Sequence, residues 1–85
     1  MGERVCVRLR LFARAREAAG TAGDQREAHT LGELLDGARA DFPPEFAAVL
    51  ATSRVWVNGD EPVDGDATRL RDGDEVAVLP PVSGG

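Results

Sequence analysis

Apolar and polar positions alternate strictly from Val5 to Phe12, with Val5, Val7, Leu9 and Leu11 in one phase and Cys6, Arg8, Arg10 and Phe12 in the other. A period of two predicts a strand with one buried face. The pattern then changes. Ala13-Arg14-Ala15-Arg16-Glu17-Ala18-Ala19 is made of strong helix formers and stops at Gly20, which predicts a short helix with a glycine terminator. A loop over Gly20 to Gly23 leads to a weaker second strand, expected at Gln25 to His29 because a helix start follows it at once. That start is Thr30-Leu31-Gly32-Glu33, a capping box in which Thr30 would bond the amide of Glu33 and Glu33 would reach back to the amide of Thr30. Leu31, Leu34, Leu35 and Ala38 share one helical face, and Pro43-Pro44 bars continuation beyond about Phe42. Pro44 suits the first turn of a further short helix carrying Phe46, Val49 and Leu50.

Strand signals dominate the second half. Arg54-Val55-Trp56-Val57 runs into Asn58-Gly59, a pair that tolerates positive φ and marks a tight turn. Asp64-Gly65-Asp66 and Asp72-Gly73-Asp74 are further turns, and Glu75 to Leu79 is a last strand closed by Pro80-Pro81. These elements describe an α+β domain over residues 1–79, its sheet covered on one face by the main helix, with a tail over residues 80–85. If Val5, Val7, Leu9, Val55, Val57, Val76 and Val78 face that helix, parity puts Phe12, Trp56, Ala77 and Leu79 on the open side. A large apolar patch beside a tail is a reasonable docking surface for a partner that processes the tail.

Length and composition narrow the chemistry. A chain of 85 residues holds one modest core, and its folding buries only roughly 60–65% of the surface the unfolded chain exposes. A net charge of −5 argues against nonspecific binding to nucleic acid, which needs clustered positive charge. No apolar stretch has the length of a membrane span or a signal peptide, so no membrane association is expected and a cytoplasmic location is. All ten basic residues are arginine; without lysine there can be no Schiff base and no P-loop lysine.

One histidine, one cysteine and no tyrosine leave no acid–base or nucleophilic constellation, and no stand-alone enzymatic activity is expected. His29 reads as a residue of the helix cap and Cys6 as an incidental small residue. Neither has the companions that a zinc site or a disulfide requires. The Asp-Gly clusters lack the ligand spacing of a calcium loop and are better explained as turns, so no metal site is expected. Attention falls on Pro80-Pro81-Val82-Ser83-Gly84-Gly85. Its small side chains suit passage through a narrow channel, and a glycine carboxylate activated as an acyl-adenylate needs no catalytic side chain on its own chain. The residues leave an inert tail equally open.

Two segments carry a resemblance over essentially the whole chain. Leu11 to Gly20 is similar to a Phe-Ala-x-x-Arg-Glu-x-x-Gly segment, and Asp72 to Gly85 to a closing stretch, both of the MoaD-type small subunits of molybdopterin synthase. These are sulfur carriers with a ubiquitin-like β-grasp fold, a mixed sheet with one main helix on one face. The resemblance implies that an E1-like adenylyltransferase uses ATP and magnesium to adenylate Gly85. A sulfur donor such as a cysteine desulfurase or rhodanese then makes the thiocarboxylate, and no cofactor is held tightly by the chain itself. The sulfur passes to a cyclic pyranopterin precursor in a large catalytic subunit, the two subunits forming a heterotetramer. By the same likeness Gly84 keeps the channel clear, while Pro80, Pro81, Val82 and Ser83 form the approach. Phe12, Leu79 and Val63 fall at apolar partner contacts, and Arg16 matches an arginine that binds partner acids. Trp56 is larger than the type, and the turn after Asn58-Gly59 is longer than in some relatives. Carriers serving thiamine, cysteine or transfer-RNA thiolation share the tail, and so does a ubiquitin-like module whose Gly85 would be joined to amines; the segment Phe12 to Gly20 favours the molybdopterin type.

Overall fold

In the computed structural model, which describes residues 4–81, the N-terminal alternation becomes strand β1, Cys6–Leu11. Val7, Leu9 and Leu11 are buried, while Cys6, Arg8 and Arg10 are exposed. Helix α1, Ala13–Ala19, ends where expected, with Gly20 in the left-handed region at φ 79° and its amide donating to the Arg16 carbonyl. Strand β2 is Gly23–Glu27, two residues earlier than the sequence suggests. Pairing with β1 sets its limits: the antiparallel register runs from Cys6 opposite Glu27 to Arg10 opposite Gly23. Ala28 then turns into the core, and the amide of His29 is taken up by the next helix.

That helix, α2, spans Leu31–Asp41 and buries Leu31, Leu34, Leu35 and Ala38, the four positions read from its periodicity. Thr30 caps it by accepting from the Glu33 amide at 3.2 Å. The Glu33 carboxylate reaches one residue further back than a capping box requires and accepts from the His29 amide at 3.2 Å. Helix α3, Pro44–Ala51, places Phe46 and Leu50 inside. Strand β3, Arg54–Val57, turns through Asn58 and Gly59, whose φ values of 51° and 84° match a two-residue hairpin turn. A short 3-10 turn at Gly65–Ala67 precedes β4, Glu75–Leu79.

The four strands lie in the order β2-β1-β4-β3, with β1 and β4 parallel at the centre and antiparallel strands at both edges. One face carries Val7, Leu9, Leu11, Val76 and Val78 against the three helices; Val5, Val55 and Val57 are partly buried at its margin. Gly23 crosses β1 so closely that a Cβ there would overlap the Leu9 carbonyl oxygen, and its φ of 143° is one that side chains rarely adopt. Among the described residues no helix is long and apolar enough to cross a membrane.

Arg26 closes the β2 edge of the core. Its guanidinium pairs with Asp24 at 3.0 Å and Asp41 at 2.8 Å and lies over the Phe42 ring at 4.9 Å. Burial works against its charge, but the hydrogen bonds to Asp41 and Asp24 outweigh that and hold its pKa above the ordinary arginine value. Arg26→Ala should cost about 1–2 kcal/mol in urea unfolding, since charge-assisted bonds and ring packing go together. Arg26→Lys should recover only part, because an ammonium cannot fork between two carboxylates.

Candidate functional site

The parallel pairing of β1 and β4 brings the C-terminal ends of both strands to the same edge of the sheet. Phe12 follows β1 directly, and its amide donates to the Val78 carbonyl at 3.3 Å. Leu79 is the last residue of β4, and Pro80 and Pro81 continue from it. Two residues separated by most of the chain are thus set side by side where the tail departs. Ala13, at φ 49°, turns the chain sharply out of β1 into α1. Arg16 stands one turn into that helix, exposed. Phe12 is 37% exposed, an unusual position for a large apolar ring.

Trp56 lies opposite Ala77 across the β3–β4 pairing, and Leu79 lies opposite Arg54. The open face therefore holds Phe12, Leu79, Ala77 and Trp56 in adjoining strands, as parity requires. Leu79 and Trp56 are half-buried. The indole Nε1 of Trp56 is buried and has no hydrogen-bond partner among the described residues. Val63 is 95% exposed in the loop 61–64, outside the strand pairings that assemble Phe12, Leu79 and Trp56. The base of the tail is seated, since Pro80 and Pro81 line a small cleft with Arg14 of α1, Ala48 and Val49 of α3, and Thr52 just after that helix. Val82, Ser83, Gly84 and Gly85 lie outside the described residues.

Phe12 and Arg16 also border a groove that the sequence reading did not single out, walled by Arg8 and Arg10 of β1. The signal was present in the alternation, which puts Arg8 and Arg10 in the same phase as Phe12. Charged residues on the outer phase of a strand are ordinarily a solvated face, which hides such a groove from a sequence.

Comparison with known proteins agrees with this layout. The chain is 35% identical over 83 residues to a molybdopterin synthase sulfur carrier subunit of Chlamydomonas reinhardtii, a match covering 93% of this chain and 98% of that protein. In structure it is similar to small archaeal modifier protein 1 of Methanosarcina acetivorans, with a TM-score of 0.85 and 29% identity over 99% of this chain and 100% of that one. It is also similar to a chain in the complex of subunits 1 and 2 of the molybdopterin-converting factor from Helicobacter pylori, with a TM-score of 0.73 and 26% identity over 95% and 100% of the two chains. These neighbours share the ubiquitin-like β-grasp fold. A family model described as the ThiS family matches residues 9–85, from the first strand through the terminal glycines, and on that match the chain belongs to the ThiS family, the ThiS/MoaD group of β-grasp proteins.

Proposed function

We propose that the chain is the sulfur carrier of a molybdopterin synthase. The Gly85 carboxylate attacks ATP, with magnesium, in the active site of an E1-like adenylyltransferase, releasing pyrophosphate and forming a glycyl adenylate. A donor persulfide displaces AMP to give an acyl disulfide, and a thiol cleaves the S–S bond to leave the thiocarboxylate and a disulfide on the donor side. The thiocarboxylate sulfur passes to a pyranopterin precursor in a large catalytic subunit, water returning the Gly85 carboxylate. The observation that carries this reading is the likeness to the Chlamydomonas reinhardtii sulfur carrier subunit across nearly the full length of both chains. The complex of two molybdopterin-converting factor subunits among the structural neighbours supports a large-subunit partner. The departure of the tail beside Phe12 and Leu79 supports a partner that grips the open face while it takes in the tail.

A second reading has its own support in the likeness to a small archaeal modifier protein: attachment of Gly85 to amines of other proteins. One experiment separates the two. The chain is co-expressed with its host's adenylating enzyme, its intact mass is taken, and fragments locate any change. Exchange of one oxygen for sulfur at Gly85 is expected. Fragmentation is essential because a single oxidation of Cys6, which is exposed, adds nearly the same nominal mass. A Gly85 that carries no sulfur beside an active adenylating enzyme, and is instead recovered in isopeptide linkage, would transfer the assignment to the modifier reading.

The docking face makes a separate prediction. Phe12→Arg should leave the circular dichroism spectrum unchanged, because the ring is 37% exposed and outside the buried core. It should weaken binding to the adenylating enzyme by about 2 kcal/mol or more in calorimetry, as expected for an unpaired charge in an apolar contact. Unchanged affinity would show that the partner does not use this face.

A further inference from the structure

The groove on the outer side of β1 and β2 is about 550 Å³ and is lined by Arg8, Arg10, Phe12, Arg16, Asp24 and Gln25 among others. Its charge runs against that of the molecule. The chain as a whole carries −5, yet three arginines line this one depression and Asp24 is its single acidic lining residue. The Asp24 carboxylate is already held by Arg26 at 3.0 Å. Arg8 and Arg16 make no ion pair or side-chain hydrogen bond among the described residues. Arg10 has Glu75, but at 3.5 Å and with both side chains about half exposed, a pair that an incoming carboxylate displaces readily. The Arg10 guanidinium also lies over the Phe12 ring at 5.4 Å.

Arg8 and Arg10 are two residues apart on one face of a strand, so their stems are separated by about 6.6–7 Å. An extended peptide with acidic residues at alternate positions presents its carboxylates at the same spacing. We propose that this groove binds an extended acidic segment of a partner protein through an acid-x-acid pair on Arg8 and Arg10, continuing along β1 from the partner contacts already assigned to Phe12 and Arg16 at its end. The Arg8 and Arg10 pair takes no part in the tail chemistry, and its assignment does not rest on it. It extends the docking surface along β1, away from the strand ends where the tail emerges. With arginine as its sole basic residue type, the chain presents this positive surface through bidentate donors and without a reactive ε-amine.

The test uses the full chain and a fluorescein-labelled peptide with a Glu-Val-Glu core, read by fluorescence anisotropy at low and physiological salt. A Gln-Val-Gln peptide and a single-stranded oligonucleotide of equal charge serve as comparisons. The Glu-Val-Glu peptide is expected to bind, more tightly at low salt, and to lose about five-fold in affinity with Arg8→Gln and again with Arg10→Gln. Arg10→Lys should fall between Arg10 and Arg10→Gln, the mark of a forked contact. Thermal melting of each variant checks the fold; both side chains are exposed, so melting temperatures should be unchanged. No binding, equal binding of the Gln-Val-Gln peptide, or indifference to both substitutions would overturn the proposal. Equal or tighter binding of the oligonucleotide would reassign the groove to nucleic acid. Concentration-dependent dimerisation in light scattering that is abolished by the same two substitutions would reassign it to a second copy of this chain.

Discussion

Phe46→Ala should destabilise the fold by about 3–5 kcal/mol, the largest loss available from a single core truncation here. Phe46 is fully buried and is the largest such side chain in the core. Its ring meets Phe42 edge-on, with centroids 5.0 Å apart, and Phe42 in turn carries the Arg26 guanidinium. Truncation therefore leaves a cavity beneath α3 and also releases the ring that seats the β2-edge ion pair. A domain of this size has a total stability of about 4–13 kcal/mol, so the loss takes from roughly a quarter of it to all of it. Its melting temperature should fall by at least about 12 °C. Phe46→Leu keeps most of the volume and should cost much less. A loss below about 1 kcal/mol for Phe46→Ala in urea unfolding would show that α3 is not packed as described. The Arg26→Ala and Phe46→Ala effects should also fail to add, since both act through Phe42.

That coupling explains which parts of this molecule could be read in advance. β1, α2 and α3 were legible because their burial follows a local period, and the cap at Thr30 because its geometry spans only three residues. β2 was not. Its sequence, Gly23-Asp24-Gln25-Arg26-Glu27, has no apolar phase, and pairing with β1 alone sets its ends. Arg26 joins Asp41 across fifteen positions and Phe42 across sixteen, contacts that no periodicity announces. Leu70 is buried between two turns, its amide donating to the His29 carbonyl, and nothing nearby in sequence marks it. At the candidate site, parity sorted Phe12, Trp56 and Leu79 onto the open face. Their assembly at one end depends on β1 and β4 being parallel neighbours, which is a long-range fact. Val63 rests on resemblance alone, and the structure sets it in a loop outside those pairings.

Deleting Gly85 should lower sulfur loading by at least about a hundred-fold while leaving the fold intact. Each residue of extended chain reaches about 3.3–3.6 Å, so the carboxylate of Gly84 would fall that far short of the position built for Gly85. Reacting atoms must approach to about 3–3.5 Å, and a misplacement of 1 Å can already cost about 10² in rate. The fold should not register the change. Among the described residues the last fully buried one is Val78, and the tail begins beyond Leu79, so the melting temperature should stay within about 2 °C of the parent. Phe12→Arg is the complement, weakening docking while leaving the terminal carboxylate chemically unaltered. If loading needs both grip and reach, Phe12→Arg should be partly rescued by raising the concentration of the adenylating enzyme, and the Gly85 deletion should not. Thiocarboxylate formed efficiently on Gly84 would show that the length of the tail is not read, and rescue of the deletion by excess enzyme would show that its terminal residue contributes affinity rather than position.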